Sequence, residues 1–197
     1  MIEKIIFDYG GVFTKGSRAT FVASSLGSSS EQRSALLEFF GSDFIRQAAE
    51  GKWSTTQIIS RLQALLGDVN ASRIQDVLTQ ACEPDIQLIS VLNKLKARYR
   101  VFVISDSLPP YSEYVTQEFA HTVDGLFMSD QLGARKSGQL YTLAEIAYPG
   151  LFTNSVYIDD RELNLPAARS RGAVGLLFTS TEDLVEDLHR LGVTFGE

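Results

Sequence analysis

Five short, apolar, β-prone segments constrain the fold of this chain most strongly: Ile2–Phe7, Tyr99–Ile104, Gly125–Met128, Ser155–Ile158 and Ala173–Phe178. The first ends at Asp8 and is stopped by Gly10 and Gly11. Runs this short and apolar suit strands buried on both faces of a parallel sheet. Helical patterns at about 84–98, 112–120, 137–148, 162–171 and 181–191 separate most of them. Strand alternating with helix predicts βαβ units in a Rossmann-like, doubly wound parallel α/β sheet.

The stretch from about Lys15 to Glu83 breaks that alternation. Ile58, Ile59, Leu62, Leu65 and Leu66 fall on one helix face, with Ser54 as N-cap and Gly67 as C-terminal stop. Leu36, Leu37, Phe39 and Phe40 form a second apolar group, and Phe44, Ile45, Ala48 and Ala49 a third beyond Gly41-Ser42. The pattern predicts an all-helical cap of four or five helices at 15–83, inserted after the first strand of a core formed by 1–14 and 84–197. Such an insertion lies over the C-terminal edge of the sheet, where open α/β folds bind ligands.

Composition excludes several classes of function. A net charge of −6, with 18 basic residues spread along the chain, offers no nucleic-acid-binding face. No apolar run approaches the roughly 20 residues that span a bilayer. MIEKIIFDYGG does not read as a secretory signal, and the single cysteine, Cys82, permits no intrachain disulfide. A cytoplasmic protein is the expectation. His121 and His189 are too few for a histidine metal site, and Trp53 reads as cap packing.

The informative polar residues sit where strands end. Asp8, Ser105 and the pair Asp159-Asp160 each follow a predicted strand, and Lys136 lies a short loop beyond Gly125–Met128. Alone, each has an ordinary explanation: a serine after a strand is usually a turn residue, and a lone lysine a solvated charge. In a parallel sheet, however, these ends converge on one crevice. Carboxylates, a hydroxyl and a lysine gathered there make a candidate metal and phosphate site.

In order, the motifs are Phe7-Asp8-Tyr9-Gly10-Gly11-Val12, Val103-Ile104-Ser105-Asp106, Met128 through Lys136, and Tyr157-Ile158-Asp159-Asp160 followed by Asn164. This arrangement resembles the haloacid dehalogenase (HAD) superfamily, in its phosphatase branch with a helical cap. The nearest flavour is the subgroup acting on small sugar phosphates, whose first motif reads Asp-x-Gly-(Gly/Asn)-Val. The resemblance implies that Asp8 attacks phosphorus to form an aspartyl-phosphate. It implies Mg²⁺ held by Asp8, the Gly10 carbonyl and Asp159, with Asp160 and Asn164 orienting ligands from behind. It assigns Ser105 and Lys136 to the phosphoryl group and places Asp106 beside the substrate. The partner so implied is a small phosphorylated metabolite.

The departures from the family pattern are equally specific. Most phosphatases of the superfamily carry a second aspartate two residues after the nucleophile, as general acid and base; here the position is Gly10. Asp106 stands where asparagine is usual, and its carboxylate is expected to turn towards the cap or solvent rather than supply the missing proton. Ser137-Gly138 replaces a common proline and acidic residue, which is expected to alter only helix initiation. Two competing readings follow: a catalytically weak or inactive HAD-fold binding protein, and a haloacid-type dehalogenase. The Asp159-Asp160…Asn164 set speaks for metal and against the dehalogenase.

Overall fold

The structure, a computed structural model, describes residues 1–196. Its core is one parallel sheet of β1 (Lys4–Phe7), β2 (Arg100–Ser105), β3 (Gly125–Met128), β4 (Ser155–Asp159) and β5 (Val174–Leu177). The spatial order is β3-β2-β1-β4-β5. The chain therefore builds outwards from β1 on one side and then crosses to the other. The crevice of such a sheet opens at the C-terminal ends of β1 and β4, where the order reverses.

The strands are apolar throughout because both faces are covered. Ile5, Phe7, Val101, Val103, Val156 and Ile158 point into one hydrophobic cluster, while Ile6, Phe102, Ile104 and Tyr157 point into another. This is the two-residue period of a strand, with each face buried. Each such aliphatic or aromatic side chain contributes roughly 1.5–3 kcal/mol by leaving water.

Five helices follow β1: α1 (Arg18–Leu26), α2 (Ser30–Gly41), α3 (Asp43–Ala48), α4 (Thr55–Leu66) and α5 (Ala71–Gln80). Ser54 and Gln57 close a reciprocal capping box on α4, and Gly67 ends it with φ +73°. Leu36, Ile58, Leu62 and Ile74 of these helices belong to the same hydrophobic cluster as Ile5 and Phe7. The helical segment and one face of the sheet thus share one continuous core.

The remaining helices are α6 (Ile86–Lys96), α7 (Pro109–Phe119), α8 (Ser129–Leu132), α9 (Leu140–Ala147), α10 (Leu165–Arg169) and α11 (Thr181–Arg190). Two differ from expectation. The single-turn α8, closed by Gly133 at φ +69°, has too few residues to show helical periodicity. The helix expected from 137 begins at Leu140, since no residue of Ser137-Gly138-Gln139 caps it and Gly138 instead turns back to the Arg135 carbonyl. No helix among the described residues is long and apolar enough to cross a membrane.

Candidate active site

Asp8 leaves the end of β1 with its backbone N–H still in the ladder, donating to the Ile158 carbonyl at 2.8 Å. The chain then folds sharply. Phe13 N–H returns to the Tyr9 carbonyl at 2.9 Å, and Gly11, at φ +84°, donates to Thr14 Oγ1 at 2.9 Å. A side chain at Gly11 would collide with Asp160 Oδ2, so this glycine is needed both for its backbone angle and for its lack of a Cβ.

Asp8, Asp159 and Asp160 bring carboxylate oxygens within 4.8 Å of one another. Lys136 holds the first two together. Its Nζ lies 2.9 Å from Asp8 Oδ1 and 2.7 Å from Asp159 Oδ2, with all three side chains buried. Burial disfavours the ammonium, but Asp8 and Asp159 outweigh it and hold Lys136 above the usual lysine range. Asp159 also accepts from Tyr157 Oη at 2.7 Å, the Arg161 N–H at 2.9 Å and Asn164 Nδ2 at 2.9 and 3.0 Å. Burial alone would raise Asp159; Lys136, Tyr157 and Asn164 together pull it below the usual carboxylate range.

Asp8 is less well compensated. Burial and then the Asp159 charge push its carboxyl up against the pull of Lys136, whose ammonium it shares with Asp159. Asp160, the more exposed of the three, is raised to about 6 by burial and then by Asp8 and Asp159. Three carboxylates this close, with one ammonium between two of them, are short of positive charge. A hard divalent cation with oxygen ligands would supply it.

Ser105, predicted to meet the phosphoryl group, ends β2 fully buried, with its hydroxyl donating to the Asp106 carbonyl at 3.3 Å. Asp106 turns neither to the cap nor to solvent. Its Oδ1 accepts the Lys136 backbone N–H at 2.8 Å, and its Oδ2 lies 3.3 Å from Arg135 Nη2. Both oxygens are thus occupied in fixing the loop that carries Lys136. The asparagine usual at this position would keep only one of these interactions at full strength, which accounts physically for an acidic residue here. Ser107 and Ser129 tie the ends of β2 and β3 in the same way, Ser107 N–H donating to Ser129 Oγ at 2.8 Å.

A cavity of about 550 Å³ opens above this floor. Asp8, Asp106, Lys136, Asp160 and Asn164 line it below, and Phe40, Ile45 and Ala49 of the inserted helices or their ends line it above. Trp53 packs on Phe44, ring centroids 4.9 Å apart, and lies outside the lining. Cys82 is fully buried, and burial raises its thiol to about 11, which leaves it protonated and unreactive.

The sequence reading missed Arg18 and Tyr157. Tyr157 was findable, since residues two apart on a strand share a face and so bring its hydroxyl to Asp159. Arg18 opens α1, lines the cavity and donates from Nη2 to the Asp106 carbonyl at 3.0 Å. A Cβ on Gly10 would lie 2.7 Å from that same nitrogen. The guanidinium therefore fills the space that a longer side chain at position 10 would take.

No family model and no curated protein matches the sequence. Solved structures do match. A HAD-like family hydrolase from Porphyromonas gingivalis aligns over 97% of this chain and 98% of its own, with TM-score 0.75 and 20% identity. The chain has the HAD fold. A HAD family enzyme from Bacteroides thetaiotaomicron, solved with magnesium and inorganic phosphate, aligns over 94% of this chain and 98% of its own, with TM-score 0.74 and 16% identity. The HAD-hydrolase YfnB from Bacillus subtilis, bound to magnesium, covers 98% and 99% respectively, with TM-score 0.69 and 13% identity. At these identities the likeness is one of architecture, with the helical insertion included in the aligned length.

Proposed function

We propose that this chain is a Mg²⁺-dependent hydrolase of a small phosphate monoester, with Asp8 as nucleophile. One observation carries the reading: Lys136 bridges Asp8 and Asp159 while Asp8, Asp159 and Asp160 crowd within 4.8 Å at the floor of a cavity. The B. thetaiotaomicron enzyme of the same fold was crystallised with magnesium and phosphate, which supports the same ligands here. Asp8, Asp159 and Asp160, with the Gly10 carbonyl, are the groups suited to hold Mg²⁺. When bound, the ion neutralises phosphoryl oxygens as a Lewis acid.

In this reading an Asp8 carboxylate oxygen attacks phosphorus in line. The new O–P bond forms as the ester O–P bond breaks, and the leaving group departs with that electron pair as an alkoxide, which takes its proton from solvent. Water then attacks the aspartyl-phosphate, releasing inorganic phosphate and restoring the carboxylate. Lys136 stays protonated throughout and offsets charge on the nucleophile and the transferring group. Asn164 and Tyr157 keep Asp159 ionised and fixed. Gly10 offers no proton to the leaving oxygen, so esters of acidic alcohols are expected to turn over far faster than alkyl esters, general acid–base groups being worth about 10²–10⁴-fold.

The test is p-nitrophenyl phosphate turnover with and without Mg²⁺, beside Asp8→Asn. Metal-dependent activity that disappears in the variant supports the proposal. Magnesium binding with no Asp8-dependent turnover of any phosphate ester would instead make this a binding protein of the same fold.

A further inference from the structure

Four cations line the cavity, and Arg18 differs from the other three: Arg161 is unpaired among the described residues but exposed to solvent. Lys136 is neutralised by Asp8 and Asp159, and Arg135 by Asp106. Arg18 has no carboxylate ion-pair partner among the described residues; from Nη2 it donates to a backbone carbonyl, and its other near polar neighbour is the buried, neutral Cys82 thiol, a weak acceptor. Its Nη1 is buried without a hydrogen-bond partner. The guanidinium stacks over Tyr111, 4.6 Å from the ring centroid, and the Tyr111 hydroxyl is likewise buried and unpartnered. Both residues line the cavity. Burial keeps the tyrosine protonated, so its O–H remains a donor at neutral pH.

Unsatisfied buried donors cost free energy, about 1–3 kcal/mol each and more when charged. A fixed arginine with a free nitrogen, beside a hydroxyl in the same state, calls for an acceptor-rich anion. The metal and phosphoryl group belong at Asp8. Gly10, against which the Arg18 guanidinium packs, is two residues from Asp8, and two residues span at most about 7 Å of chain, so the second anion lies close to the ester oxygen.

We infer that Arg18, assisted by Tyr111, binds a second anionic group carried by the alcohol part of the substrate, so that the preferred ligand is a short phosphomonoester bearing a carboxylate or a second phosphoryl group. This rests on the phosphatase reading for the word substrate but not for the anion site itself. It also explains Gly10: any side chain there would displace the guanidinium. The position that commonly carries an acid–base aspartate is here given over to recognition.

Non-hydrolysable phosphonates separate the two claims because they need no turnover. With saturating Mg²⁺, calorimetry would compare phosphonopropionate, ethylenediphosphonate and hydroxypropylphosphonate, matched in length and differing in the second group. Either acidic ligand is expected to bind at least about tenfold tighter than the alcohol, the ratio one charge-assisted hydrogen bond supplies. Whichever acid binds tighter identifies the second group as carboxylate or phosphoryl. Arg18→Met should abolish the advantage. Gly10→Ala, which pushes the guanidinium aside without removing it, should reduce it several-fold and serves if the methionine variant does not fold. Equal affinities in the unaltered protein, no binding of any phosphonate, or an advantage that survives Arg18→Met would each overturn the inference. An Arg18-dependent advantage with no ester hydrolysed would uphold the anion site and sink the phosphatase reading.

Discussion

The floor and the roof of the cavity are built on opposite principles. The floor is made of strand ends, where Asp8, Asp159 and Lys136 are buried and held by one another and by Tyr157 and Asn164. The roof is made of the helices after β1, and it presents Phe40, Ile45 and Ala49. Those helices send one half-buried cation, Arg18, down to the floor. The contrast shows where each property of the cavity resides: the sheet edge carries the buried charges, and the helical layer carries the apolar lining above them. Preorganised charge needs the rigid element, since a charge-bridging lysine is useful only at fixed distances.

Breaking the floor should give the largest effect. Lys136→Met removes the cation between two buried carboxylates and is expected to lower kcat by about 10²–10³-fold. Steady-state kinetics on p-nitrophenyl phosphate would measure this, and a loss under tenfold would mean that Lys136 does not offset charge in the reaction. Breaking the roof should act on stability instead. Leu62 is fully buried in the core shared by helices and sheet, so Leu62→Ala is expected to cost about 2–5 kcal/mol in chemical denaturation, as a single cooperative transition. Two separated transitions would show that the helical segment unfolds on its own.

Much of this division is legible in the sequence. The strands announce themselves because burial on both faces removes polar alternation, and glycines mark where Ile5-Ile6-Phe7 must stop. The polar residues at strand ends stand out against such runs. Arg18 does not stand out, because one arginine opening a helix has no local pattern. Its significance depends on the turn at Gly11 folding Gly10 against it, a contact made in space. The Asp106 carboxylate escapes for the same reason: its partners lie 29 and 30 residues on, in a loop without periodicity. Sequence periodicity reports burial and secondary structure; it carries little about which polar atoms meet across loops.

A subtler change sharpens the view of the floor. Asp106→Asn would keep an acceptor for the Lys136 N–H and weaken the ion pair to Arg135. A fall in kcat of about tenfold or less, with unchanged Mg²⁺ affinity, is expected from a residue that positions the lysine loop. A loss confined to substrates with poor leaving groups would instead mark Asp106 as a proton donor.

The smallest expected effect is a pH dependence of the metal site. Folding raises the carboxyls of Asp8 and Asp160, so their ionisation opposes folding. In metal-free protein their contribution therefore falls as pH rises above the ordinary aspartate value of 3.8, for Asp160 up to about 6. Asp159 has the opposite sign: its stabilisation is present above 3.8 and lost as pH falls through its lowered value. Under the proposed ligand set magnesium displaces the proton from Asp160, so affinity by calorimetry should weaken one unit below pH 6 relative to one unit above. A pH-independent affinity would place Asp160 outside the metal's reach.

The central claim is that the floor delivers Asp8 to phosphorus. Acid quenching during turnover, followed by peptide mass spectrometry, tests it most directly. The account predicts a Mg²⁺-dependent phosphoryl adduct on the peptide carrying Asp8, absent in Asp8→Asn. Turnover with the adduct on another residue, or turnover that persists in Asp8→Asn, would contradict it.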